Sequence, residues 1–164
     1  GADPKTLKSG TNKKVLWRCP QGHEYESAVC HRALKGNGCP YCSNQKVLIG
    51  FNDLSTTNPE LATELVGDPT TITAGSNKTV SWKCTLNHTW DEVVAKRSKR
   101  NFGCPYCSGK RVLPGFNDLA TTHPELSKEL LDDPTTVSRG SRGNTWVCPL
   151  GHKYESHAYS RVKG

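Results

Sequence analysis

At 164 residues, with 34% hydrophobic residues, three Phe, 15 Gly and 10 Pro, the chain carries too little apolar side chain for one large core. No run of about 18 apolar residues occurs, which excludes a membrane-spanning helix, and the opening Gly1-Ala2-Asp3-Pro4-Lys5 lacks an apolar signal core. The formal charge of +7 favours polyanionic partners, and with eight Cys read as reduced the expected setting is intracellular: cytoplasm, nucleoid or nucleus.

In chain order, residues 14–18 (Lys-Val-Leu-Trp-Arg) and 24–28 (Glu-Tyr-Glu-Ser-Ala) flank a turn and predict a first β-hairpin, with Cys19 and His23 in the turn. An Arg-containing segment follows, then Gly38-Cys39-Pro40-Tyr41-Cys42 and Gly50-Phe51-Asn52-Asp53-Leu54. Thr57-Asn58-Pro59-Glu60 matches a capping box, and Leu61 and Leu65 repeat at i, i+4, so a helix of about two turns is predicted to start there. Residues 79–83 and 89–93 predict a second hairpin, Thr122-His123-Pro124-Glu125 with Leu126 and Leu130 a second helix, and residues 144–147 and 153–156 a third hairpin.

The recurrence is a sequence period. Shifted by 65 residues, the stretch 3–67 aligns without a gap on 68–132, and 32 of the 65 positions are identical. Two full repeats, 3–67 and 68–132, are thus followed by a partial third, 133–164, which stops before its second Cys pair. The expected fold class is small α+β modules in tandem, each a β-hairpin plus a short helix. A unit of about 65 residues falls below the size at which a hydrophobic core usually suffices, so a staple is expected.

Cys19, His23, Cys39 and Cys42 give C-x3-H-x15-C-x2-C, and Cys84, His88, Cys104 and Cys107 repeat it. Tetrahedral zinc takes four thiolate or imidazole ligands, and two short-spaced pairs approach one ion from two turns; two structural Zn2+ ions are expected. Gly22, Asn87 and Gly151 before the His, and Gly38 and Gly103 before the third ligand, are residues that accept positive φ. A disulfide framework does not explain a His at fixed spacing from each first Cys. A redox reading of Cys-Pro-Tyr-Cys needs a βαβ surround that the pattern lacks. Cys148 and His152 supply a half-site, while Cys30 reads as structural and His31 as solvated.

Charge alternates along the chain. Residues 4–46 carry +6, 47–68 carry −4, 69–111 carry +6, 112–133 carry −4 and 134–164 carry +4. The basic stretches hold the Cys and His residues. Their densest point is Lys96-Arg97-Ser98-Lys99-Arg100, and Arg32 with Lys35 and Arg161 with Lys163 occupy equivalent segments, so these eight basic residues are the candidate phosphate contacts. Side chains over residues 96–101 are candidates for base readout. Trp17, Trp82 and Trp146, with Tyr25, Trp90 and Tyr154, share one strand face in each hairpin; core is the favoured reading over base stacking.

These residues resemble a known family, the repeated treble-clef or zinc-ribbon domains of uncharacterised function found beside Vsr-like endonuclease domains. The resemblance rests on Trp82-Lys83-Cys84, His88, Trp90, Arg97, Cys104-Pro105-Tyr106-Cys107, Asn117-Asp118-Leu119 and Pro124-Glu125-Leu126, with their counterparts in the first repeat. It implies zinc at the eight ligands and a role in holding DNA for a nuclease or related enzyme. Asn87 replaces the family's usual Gly, and the chain contains no nuclease domain. Nucleic-acid binding, DNA before RNA, is therefore the expected function, with a protein-interaction scaffold docking a partner enzyme as the alternative. No Ser-His-Asp set or open metal position is legible, so no enzyme activity and no small-molecule substrate are expected within the chain.

Overall fold

The computed structural model describes residues 6–100 and 102–163. Asp3 and Pro4 of the first repeat, Asn101 of the basic run, and Gly164 lie outside the described residues. Two compact units partition the chain. One takes residues up to Val80 together with Glu92–Lys99; the other takes Ser81–Asp91 together with everything from Arg100 on.

Three two-stranded sheets form where the alternation predicts them: β1 (Lys14–Arg18) with β2 (Glu24–Ala28), β3 (Thr79–Lys83) with β4 (Thr89–Val93), and β5 (Asn144–Val147) with β6 (Lys153–Ser156). The register sets Trp17 opposite Tyr25 and Trp146 opposite Tyr154, aromatic cross-strand pairs on one face. Each of these indole N–H groups donates to a backbone carbonyl of the neighbouring strand, Trp17 to Ser27 at 2.9 Å and Trp146 to Ser156 at 3.1 Å. Trp82 and Trp146 are 0% exposed, which agrees with the core reading of these rings.

Each hairpin runs directly into a helix that the sequence patterns do not predict: α1 (Val29–Ala33), α4 (Val94–Arg100) and α7 (Ala158–Lys163). These helices are short, and α1 has no side-chain cap at its N-terminus, so neither periodicity nor capping announces them. Between hairpins, the predicted helix is the single turn α3 (Pro59–Ala62), and a turn that the sequence patterns do not predict, α2 (Leu54–Thr57), precedes it; α5 (Leu119–Thr122) and α6 (Pro124–Ser127) repeat the pair. Asn58 and His123 leave the helical region with φ of −143° and −142°. The Pro that follows each of them disfavours the α conformation in the residue before it, which keeps the two turns separate.

The expected caps of α3 and α6 do not form: their N-cap residues, Asn58 and His123, make no side-chain cap bond, and capping is found on the preceding turns instead. Asp53 and Asp118 accept from the backbone N–H of Thr56 at 3.0 Å and Thr121 at 2.9 Å, whereas Thr57 closes α2 with its hydroxyl donating to the Asp53 carbonyl. Both aspartates are buried, Asp53 held well below the usual carboxylate range and Asp118 lowered from it. For Asp53 the Ser55 hydroxyl leads, with Thr56 and the Gly50 N–H adding to it. For Asp118 burial pushes upward and is outweighed by Thr121 and the Gly115 N–H.

In the second unit the apolar core joins Leu119, Leu130, Val137, Trp146 and Ala158, with Leu126, Tyr154 and Val162 packed against it. The sequence period changes at Asp132/Asp133, so this core takes Leu119 and Leu130 from one repeat and Val137, Trp146 and Ala158 from the next. The period and the packing unit are offset by half a repeat. A backbone bridge reinforces the junction: the Leu131 N–H donates to the Thr145 carbonyl at 2.9 Å and the Val147 N–H to the Glu129 carbonyl at 2.7 Å, laying residues 129–131 along β5.

Candidate metal centres

The first knuckle of each repeat is built by the same backbone bonds. The Cys19 N–H donates to the His23 carbonyl at 3.0 Å and the Gly22 N–H to the Cys19 carbonyl at 2.9 Å, and Cys84, Asn87 and His88 reproduce both at 3.1 and 2.9 Å. This turn requires a left-handed residue before the His, and Gly22, Asn87 and Gly151 adopt φ of 86°, 65° and 82°. Asn is the residue after Gly that tolerates this region best, so Asn87 keeps the geometry. Gly38 and Gly103 do not adopt positive φ, contrary to expectation. The second knuckle closes by other means, with Ser43 and Ser108 N–H groups reaching back to the Cys39 and Cys104 carbonyls at 3.1 Å.

Within each set the four ligand atoms all lie within 4.8 Å of one another. From His23 Nδ1 the sulfurs of Cys19, Cys39 and Cys42 stand 3.5, 3.7 and 3.3 Å away, and those of Cys19 and Cys42 are 3.8 Å apart. At the second centre, His88 Nδ1 lies 3.6, 3.7 and 3.4 Å from Cys84, Cys104 and Cys107, with Cys84 and Cys107 sulfurs 3.9 Å apart. A zinc tetrahedron with Zn–S about 2.3 Å and Zn–N about 2.05 Å has S···S edges of about 3.8 Å and N···S edges of about 3.6 Å. The residues fit zinc in both donor type and spacing.

The electrostatics point the same way. Loss of water, followed by the neighbouring sulfurs of Cys39 and Cys19, pushes the Cys42 thiol up to about 11; the same causes, with Cys104 and Cys84, push Cys107 up to about 12. Three thiolates this close need a cation between them. At Cys19 and Cys84 burial also opposes ionisation, but backbone N–H groups of His23 and Gln21, or of His88 and Leu86, outweigh it and favour the thiolate.

The motif Gly-Phe-Asn-Asp-Leu braces each centre. Phe51 packs edge-on against His23 with ring centroids 4.2 Å apart, and Phe116 does the same to His88 at 4.2 Å. Asn52 donates to the Tyr41 and Lys46 carbonyls, both at 2.9 Å, and accepts from the Leu48 N–H at 2.7 Å; Asn117 ties Tyr106, Arg111 and Leu113 likewise. Asp caps the next helix and Leu54 or Leu119 enters the core at 0% exposure. The motif's recurrence was legible in the sequence; that its Phe and Asn hold the His ring and the second knuckle was not, because neither has ligand chemistry.

The third knuckle forms as well, with the Cys148 N–H donating to His152 at 3.0 Å and the Gly151 N–H to Cys148 at 2.8 Å. Cys148 and His152 join no group of three or more metal-ligating side chains among the described residues. Cys30 is buried, its thiol donating to Asn12 Oδ1 at 3.1 Å, and His31 is half-buried rather than fully solvated.

The candidate phosphate contacts divide. Arg97 is 2% exposed and ion-pairs with Glu64, so it is withdrawn from the surface. Arg161 is paired with Glu129 and lies over the Trp146 and Tyr154 rings, 5.5 and 5.7 Å from their centroids. Arg97 was expected to face phosphate and instead turns inward: once a helix forms, one side of the basic run points to the core, and only a guanidinium with a carboxylate partner tolerates that. Arg32 lies over Trp17 at 5.2 Å and donates to the Asn37 carbonyl at 2.8 Å, and Lys96 pairs with Glu92 at 3.2 Å. Lys35, Lys99, Arg100 and Lys163 are exposed without a carboxylate partner among the described residues.

Sequence reasoning missed two aromatic platforms in the second unit. Phe102, 44% exposed, has Lys110 at 4.0 Å and Arg100 at 6.0 Å from its ring centroid; Tyr159, 46% exposed, has Lys163 at 4.8 Å and Arg139 at 5.2 Å. Tyr159 takes the repeat position of Cys30 and Ala95, so the period hid it. Among the described residues no helix is long and apolar enough to cross a membrane.

No curated protein matches the chain. A family model matches residues 1–45 and 63–110, more than half of the sequence, and takes in both complete ligand sets as well as Glu64 and Arg97. The chain belongs to the family described as a probable treble clef zinc finger domain.

Proposed function

We propose that the chain is a nucleic-acid-binding module, with DNA preferred over RNA, and that it serves as the targeting part of a nuclease-associated protein of the kind its resemblance suggests. The observation that carries this reading is the pair of exposed rings, Phe102 and Tyr159, each flanked by two cations without carboxylate partners among the described residues. Aromatic faces stack on bases of any sequence, and adjacent cations neutralise the phosphates that run past them. Tyr159 and Arg139 also line a groove of about 560 Å³ with Tyr106, Phe116 and His123, beside the second metal centre, and none of its lining residues is acidic. With four protein ligands filling each tetrahedron, the zinc is structural and any catalysis lies with a partner.

The test is binding of the zinc-loaded chain to duplex DNA, single-stranded DNA and structured RNA over a salt series. Log affinity is expected to fall linearly with log salt, with single-stranded DNA bound at least as tightly as duplex DNA because stacking on the two rings requires unpaired bases. No binding at low salt overturns the reading.

A second reading, docking of a partner protein, is favoured by Leu86 and Leu150, which stand exposed at the tips of the second and third knuckles. Under that reading, replacing both by Ser abolishes partner capture and leaves oligonucleotide affinity unchanged.

A further inference from the structure

The three hairpins share a sequence pattern and differ in how they are covered. Trp146 is sealed in the core by Leu119, Leu130 and Val137, and Val137 and its counterpart Ile72 are buried. At the first hairpin the corresponding residues, Trp17 and Leu7, are only half-buried. Arg97 and Arg161 each hold a glutamate from the segment 32 or 33 residues before them. Arg32, at the same repeat position, has no carboxylate partner among the described residues.

The strand edge differs in the same way. On β5, residues 129–131 form a bridge through the Thr145 carbonyl and the Val147 N–H. The equivalent groups on β1 belong to Leu16 and Arg18. Among the described residues β1 pairs with β2 alone, and no bridge reaches its other edge. An apolar ring, an arginine and an open strand edge thus lie together on the first hairpin, and each has a partner of known type on the third.

We propose that this face of β1 is a docking site for an acidic leucine segment from another repeat of this family. The segment adds to β1 as a short strand, lays its leucine on Trp17 and pairs the preceding glutamate with Arg32. The template is Glu129-Leu130-Leu131, in which one residue supplies both the carbonyl bonded by the strand and the carboxylate bonded by the arginine. Strand addition supplies affinity through main-chain bonds, and the charge pair sets which segment is accepted. The basic character of residues 4–46 and the acidic character of the helical segments, +6 against −4, favour the encounter.

The experiment titrates the zinc-loaded full chain, isotope-labelled for NMR, with a synthetic peptide having the sequence of residues 117–132. Saturable shifts are expected at the Trp17 indole N–H and the Arg18 amide, with slowed exchange of the Arg18 amide and little change at Trp146. Peptides carrying Glu129→Lys or Leu130→Asp leave the protein intact and are expected to bind at least about tenfold more weakly. An Arg32→Glu chain, its zinc content and hairpin signals verified, is expected to prefer the Glu129→Lys peptide over the unaltered one. The proposal is overturned by absence of shifts at millimolar peptide, by equal affinity for the unaltered and charge-reversed peptides, or by shifts confined to Trp146. It is overturned equally if an oligonucleotide, rather than the peptide, covers Trp17 and Arg32.

Discussion

Arg97 on α4 closes an ion pair with Glu64, 33 residues earlier in the chain, and does so almost completely buried. A guanidinium in that position is strongly destabilising if its carboxylate is lost, and a carboxylate left behind is less so because Glu64 keeps about a third of its surface in water. Arg97→Ala is therefore expected to destabilise the zinc-loaded chain by roughly 1–3 kcal/mol, and Lys99→Ala by less than about 0.5 kcal/mol. Denaturant unfolding of the two variants measures the difference. Equal effects would return Arg97 to the surface.

Metal removal is expected to unfold the modules, since small cores of this kind owe their stability to the ligand set. Native mass spectrometry should count two zinc ions per chain, and Cys104→Ser should reduce the count to one without emptying the site of Cys19. Loss of both ions in that variant would mean that the two centres fold as one unit. Hairpin structure persisting in excess chelator would show that hydrogen bonds and aromatic pairs suffice.

The aspartate caps make an acid-side prediction. Asp53 and Asp118 have pKa values lowered in the folded state, so their contribution is complete above the unfolded value of about 3.9 and is lost as pH falls through the lower folded value. Protons compete for the zinc thiolates at higher pH than this. Zinc should leave while both carboxyls are still ionised, so the midpoint of acid unfolding follows the metal. Carbon-13 carboxyl shifts followed together with zinc release test this; titration of either aspartate at or above pH 4 in the loaded protein contradicts it.

Aromatic residues should separate by location. Tyr159→Ala and Phe102→Ala are expected to weaken oligonucleotide binding by about 5–100-fold each while changing stability little, as base stacking is worth about 1–3 kcal/mol. Leu119→Ala, in the core under Trp146, is expected to do the reverse: a loss of about 2–5 kcal/mol of stability with binding retained by the folded fraction. Fluorescence anisotropy and thermal unfolding on the same samples distinguish them.

The strands and both ligand sets were legible because they depend on local spacing: alternation over five residues, and turns that close within four. The helices after each hairpin were not, since each carries an arginine that reads as surface until its partner is found, a glutamate for Arg97 and Arg161 and the Trp17 ring for Arg32. The capping residue was mistaken for a related local reason. Thr57 fits the pattern of a cap for the turn that begins at Pro59, but its hydroxyl closes the preceding turn, which Asp53 caps.

The sequence by itself determined that the chain is a tandem array of zinc modules, because a Cys-x3-His turn followed by a Cys-x2-Cys turn dictates its ligand chemistry wherever the turns meet. Tertiary structure alone decided where one packed unit ends and the next begins. Leu119 and Leu130 are covered by Val137, Trp146 and Ala158 from across the period boundary, and Arg161 finds Glu129 there too. Identity between repeats shows what recurs, whereas burial depends on which recurring pieces touch, and a half-repeat offset leaves the same identities while changing every contact.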